Sequence, residues 1–206
     1  MDIKELRFAG RDGGPCVPGE PIGVYLDGLH AATVDPAPLS ADGSGIHLEH
    51  YSPTASDEAR RLHSLNFGRV SLLAVTAHVA EHFADVTTIS YLLNRDTEGL
   101  SIGYVGGMRL AAARSAMLQR IGAENILLAP HPEADRAQQF VVSATWRYNQ
   151  RNLARVKAAL EEEWILFANR LAHAGPRGRA PRTNEWLRGF LARRRRPRDG
   201  GGPAGG

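Results

Sequence analysis

The chain has 206 residues, 43% of them hydrophobic, which suits one domain with a real core plus some tail. No apolar run reaches the roughly 18 residues of a membrane span, and MDIKELRFAGRDGG is charged from its second position, so neither a spanning helix nor a secretory leader is expected and a cytoplasmic protein is the default. The formal net charge of +3 hides an asymmetry: residues 175–206 carry nine Arg against Glu185 and Asp199, which leaves 16 basic and 20 acidic residues in 1–174 and argues against general nucleic-acid binding by the body.

In chain order, residues 2–9 read as a short strand, and the Gly- and Pro-crowded 10–22 as a loop. The lone cysteine, Cys16, lies in that loop as an unreactive thiol; it excludes an internal disulfide and a multi-cysteine zinc site. IGVYLDG (22–28) reads as a strand, DPAPLSADGSG (35–45) as a loop and IHLEHY (46–51) as a second alternating strand. Ser56 or Asp57 offers an N-cap for a long helix over 57–84, with Leu62, Leu65, Leu72, Leu73, Thr76, Val79, Ala80 and Phe83 on one side. VTTISYLL (86–93), NRDTEG (94–99) and LSIGYV (100–105) read as a β-hairpin closed by Gly106-Gly107. MRLAAARSAMLQRI (108–121) is a helix stopped by Gly122, ENILLAP (124–130) a short buried strand, HPEADRAQ a loop and QFVVSATWRY (139–148) an alternating strand. Leu153, Val156, Leu160, Trp164, Phe167 and Leu171 mark a last helix over 150–173. The expected fold is α+β: a mostly antiparallel sheet with about three long helices packed on it, forming a single domain over 1–174. Residues 175–182 read as a linker, 183–198 as a basic amphipathic helix and 199–206 as a disordered glycine-rich tail.

Five features could carry function. The first is H-x-x-E-H in AVTAHVAEHF. His78 and His82, one helical turn apart, could share a metal, and Glu81 could act as the general base on its bound water. This order resembles the motif of the inverted zinc metallopeptidases, over five residues. The resemblance implies zinc and a third ligand, a Glu, some way downstream, where Glu161, Glu162 and Glu163 stand; His47 and His50 are the other sources. Helical phase sets all three motif residues away from the apolar stripe, facing either water or a cleft made by another segment.

The second feature is HLEH (47–50), where His47 and Glu49 share one strand face and His50 takes the other. The third is GYVGGMR, where Gly106, Gly107 and Arg109 at a helix start could hold an anion or simply make a tight turn. The fourth is a pair of misplaced charges. Arg69 falls inside the stripe of one long helix and Glu163 at the stripe border of another. If those helices are neighbours the two should bridge, which competes with Glu163 as a ligand. The fifth is the tail. Trp186, Leu187, Phe190 and Leu191 share one face and Arg193, Arg194, Arg195 and Arg196 follow, which suits a protein groove or an anionic partner such as a membrane surface or nucleic acid.

The leading expectation is a soluble adaptor or regulatory binding protein with an acidic body and an arginine-rich contact segment. The alternative is a metal-dependent hydrolase built on the H-x-x-E-H.

Overall fold

A computed structural model describes residues 5–39, 42–93, 104–131 and 140–174, with the side chains of all of these except 49–51. The expected linker, basic helix and glycine-rich tail, and the expected turn at 94–99, lie outside those residues. The elements run β1 (Leu6–Ala9), β2 (Ile22–Leu26), β3 (Leu29–Pro38), β4 (Gly45–Pro53), α1 (Asp57–Ser64), α2 (Phe67–His82), β5 (Thr88–Leu93), α3 (Tyr104–Arg120), β6 (Glu124–Pro130), β7 (Phe140–Arg147) and α4 (Gln150–His173).

The seven strands form one sheet in the order β1-β2-β3-β4-β5-β7-β6. Every neighbouring pair is antiparallel except β4 and β5, which are parallel. The expected α+β class is the one observed. Alternation sorts the two faces of the sheet. Ile22, Val24, Ala32, Val34, Ile46, Leu48, Ile89, Tyr91, Val142, Ala144 and Trp146 are buried, while Gly23, Tyr25, Thr33, His47, Ser90, Ser143 and Thr145 between them are only half-buried.

The helices cover the first set. Thr76 of α2 hydrogen-bonds Tyr91 Oη at 2.9 Å, Trp146 Nε1 donates to Ile121 O at 3.0 Å, and Tyr104 of α3 meets the Phe140 ring edge-on at 5.2 Å. α4 packs on α2 through Phe67 and Phe167, whose ring centroids are 5.2 Å apart. Every residue of α2 from 70 to 77 is buried, so this helix is enclosed on all sides.

Several boundaries differ from expectation, each for a local reason. The helix expected over 57–84 is two helices. Ser56 caps α1, accepting from Ala59 N at 3.1 Å, but Asn66 sits at φ 70° and breaks the rod. Asn tolerates that left-handed conformation better than most residues. The break lets α1 lie against β3, where His63 Nε2 donates to Ala31 O at 3.1 Å, while α2 enters the core.

Residues 35–38, expected in a loop, continue β3. β2 pairs with β3 only up to Val34, so Pro36 and Pro38 lie beyond that ladder, with a register shift at Asp35/Pro36. The strand expected over 22–28 ends at Leu26 because Asp27 (φ 50°) and Gly28 (φ 81°) form the two-residue hairpin turn that favours positive φ at both positions. Tyr104 and Val105, expected in a strand, open α3. β6 was expected to be buried; as the sheet's last strand it is exposed at six of its seven positions, Leu127 at 66%.

α4 is held to the body largely through its apolar stripe, so Phe167→Ala should cost about 3–5 kcal/mol in equilibrium denaturation. A loss under about 1 kcal/mol would mean that α4 is not cemented onto α2.

Candidate functional site

The one parallel pairing creates the most distinctive place in the sheet. β4 and β5 are paired from Gly45–Thr88 to Leu48–Tyr91. Beyond Leu48, β4 continues to Pro53 bonded only to β3, and beyond Tyr91, Leu92 and Leu93 pair only with β7. Among the described residues the two strands therefore part at their C-terminal ends. Over 49–53 no described strand but β3 pairs with β4, so the other edge of that stretch carries backbone groups that no described strand takes.

The helix after β5 is anchored at the same end of the sheet. Arg114 Nη1 reaches Leu93 O at 3.4 Å and Phe140 O at 3.5 Å. That contact ties the middle of α3 to the ends of β5 and β7, and Tyr104 at its start meets Phe140 of β7. Gly106 and Gly107, expected in a turn ahead of the helix, are its third and fourth residues, with Gly107 buried and Arg109 exposed. Gly107 thus gives close packing, and Arg109 is the side chain of the three that can meet an anion.

The parallel pairing also brings His47 of β4 opposite Ser90 of β5 on the half-buried face, His47 Nδ1 lying 3.1 Å from Ser90 Oγ. Sequence reasoning missed this pair. The residues are far apart in the chain, and no local pattern announces which strands are neighbours.

The H-x-x-E-H residues are placed differently. His78 is sandwiched: Phe8 of β1 stacks on it with centroids 4.5 Å apart, and His82 stacks with it at 4.4 Å and 26° between planes. His78 Nε2 is buried without a hydrogen-bond partner. His82 Nδ1 donates to His78 O at 3.0 Å, closing the last turn of α2. Imidazole binds a metal through a lone pair in the ring plane, and two rings lying face to face do not converge on one ion. Glu81 turns to α4 and pairs with Lys157 Nζ at 2.5 Å.

Glu163, the expected third ligand, is about two and a half turns of α2 away from His78, beside Arg69. Arg69 Nη1 lies 3.3 Å from Glu163 Oε1, so the bridge expected from the misplaced charges is formed. The structure thus brings Arg69 to Glu163 and Glu81 to Lys157, and does not assemble His78, His82 and Glu163 as a ligand set. Among the described residues no group of three His, Cys, Asp or Glu side chains could hold a metal ion. No described helix is long and apolar enough to cross a membrane.

No family model matches the chain, and no curated protein matches it. Among solved structures, the crystal structure of Ard1 from Thermoplasma volcanium is 8% identical, over 63% of this chain and 71% of that chain, with a TM-score of 0.35. A likeness of that size leaves the site to be argued from this chain's own residues.

Burial, and then the neighbouring His82, hold the His78 imidazole below the ordinary histidine range, while Glu81 pulls the other way. The unfolded chain therefore takes up this proton before the folded one does. The stability linked to His78 is fully present above the unfolded value of 6.5, begins to fall below it, and is lost as pH falls through the lowered folded value. Between about pH 7.5 and about pH 5, the melting temperature of the wild type should fall more steeply than that of His78→Phe, which has no proton to gain there. Equal slopes would remove His78 as the cause.

The Arg69–Glu163 pair makes a separate prediction. Glu163 is 8% exposed and its Oε2 has no hydrogen-bond partner, so Arg69→Met leaves a covered carboxylate unpaired. It should cost about 1–3 kcal/mol, and the double change Arg69→Met/Glu163→Met should recover most of that. Urea denaturation of the three variants checks both.

Proposed function

We propose that this chain is a binding protein with two contact sites: the crevice where β4 and β5 part, and the arginine-rich segment 183–198. The observation that carries the reading is the parting itself. In open sheets, ligands enter the crevice outside the C-terminal ends of parallel strands, where the chain leaves the two strands in different directions. Here the strand edge at 49–53 offers backbone hydrogen bonds to an extended ligand, as an exposed sheet edge does to an added peptide strand. In this reading the start of α3 stands beside that edge, and its exposed Arg109 would favour negative charge there. An extended acidic segment of a protein partner has both properties.

The segment 183–198 would then take a second, anionic partner. An adaptor of this kind needs no metal and no nucleophile. The hydrolase alternative loses its support because Glu81 is paired with Lys157 and the two histidines stack.

A fluorescein-labelled acidic peptide, followed by anisotropy, tests the crevice. Arg109→Glu should weaken binding about three- to tenfold and flatten its salt dependence. Binding that is unchanged by Arg109→Glu, or equal for a basic peptide of the same length, would refute the assignment. For the second site, deleting residues 183–206 should leave the melting temperature nearly unchanged and abolish salt-sensitive binding to heparin. Heparin binding that survives the deletion would place the anionic contact elsewhere.

A further inference from the structure

His47 stands one residue before Leu48, the last position at which β4 pairs with β5. It lies between the buried Ile46 and Leu48, on the sheet face opposite to the one those residues bury. Ser90 is its partner on β5, with His47 Nδ1 3.1 Å from Ser90 Oγ. That contact holds the ring at one nitrogen. His47 is only half-buried, and its Nε2 has no hydrogen-bond partner among the described residues. The imidazole is thus fixed at one edge and offers the other.

Its neighbours set no charge directly across from it. On β3 the register places Ala37 opposite His47, while Asp35 falls level with His50, further along β4. On β5, Thr88 and Leu92 share the face of Ser90 on either side of it, and Thr145 of β7 stands beyond Ser90.

An extended ligand laid along β4 over 49–53 takes the line that β5 would have continued. Its side chains must alternate as those of a strand do. Ser90 shares the face of His47 and Tyr91 the opposite one, so the ligand residue that follows that line, opposite Glu49, returns to the face of His47. It stands on the diagonal from His47, at about 7–8 Å, which long side chains span. The ligand's next position on that face is about 7 Å further away. A glutamate at the first of these positions can bring its carboxylate to Nε2. A carboxylate there favours the tautomer with the proton on Nε2, while Ser90 Oγ donates to Nδ1.

We propose that His47 reads the sequence of the ligand at this edge: Nε2 donates to the carboxylate of one glutamate, at the ligand residue nearest the point where β4 and β5 part. This rests on the β4 edge being a peptide site, and it adds the position at which an acid is recognised. Arg109 attracts negative charge wherever it lies along the ligand; a single N–H on a held ring acts at one place.

The test uses the full chain and two fluorescein-labelled peptides, a neutral threonine-rich one and the same peptide with one central glutamate. The wild type should bind the glutamate peptide about three- to fivefold more tightly by anisotropy. His47→Leu should bind the two alike. His47→Asn, whose amide replaces Nδ1 and leaves the place of Nε2 empty, should also lose the preference. His47→Gln, which keeps an N–H near that place, should retain most of it, and Arg109→Gln should leave it intact. A preference that survives in both His47→Leu and His47→Asn, or that Arg109→Gln alone removes, overturns the proposal. If the wild type binds the two peptides equally while the acidic peptide still binds, the edge remains a peptide site and His47 is not its reader. If the wild type binds none of the three, the edge reading falls and this inference with it.

Discussion

The enclosure of α2 is the constraint from which most of the molecule follows. A helix buried on every side from 70 to 77 can keep a polar side chain only where the interior supplies a partner. Ser71 meets this by donating to Phe67 O at 3.1 Å, and Thr76 by donating to Leu72 O at 2.8 Å while sharing the Tyr91 hydroxyl. Burial pushes the Tyr91 phenol well above its ordinary range, so it remains a neutral hydrogen-bonding group. Charge is confined to the two ends of α2, positive at Arg69 and negative at Glu81. α4 answers with Glu163 and Lys157, in the order that fits an antiparallel neighbour. A parallel α4 would have set like charges together at both ends.

This explains what was legible beforehand. The stripe of α4, its start after Asn149, the alternation of β7 and the stop at Gly122 are all local periodicities or caps, and the structure keeps them. Arg69 and Glu163 were legible as partners because a charge inside an apolar stripe is conspicuous in sequence. The break at Asn66 was not, because the apolar spacing runs straight through it; only the need for α1 to lie on β3 while α2 enters the core selects a left-handed residue there. β6 was misjudged for a related reason. An apolar run such as ENILLAP does not state whether it has a neighbour on one side or two.

The candidate site divides along the same line. Spacing alone correctly made His78 and His82 neighbours on one helix face. Their role depended on Phe8, which belongs to the sheet's first strand and which no helical wheel includes. The parting of β4 and β5 was invisible because it is a property of strand order. It arises where β4 and β5 run parallel and are then claimed by different partners, β3 on one side and β7 on the other.

The same seam bears on how the chain assembles. β1 to β4 form an unbroken meander whose pairings join successive strands, so that half can form from contacts of short loop closure. β5, β6 and β7 make a second unit, with β7 inserted between the other two. Among the described residues the sheet joins the halves over four residue pairs, Gly45–Thr88 to Leu48–Tyr91, and the chain between them is folded into α1 and α2. That ladder, as short as the one joining β1 to β2, closes a loop of about 40 residues, far longer than any within the β1–β4 meander. Joining the two halves is therefore a natural later step than forming the meander.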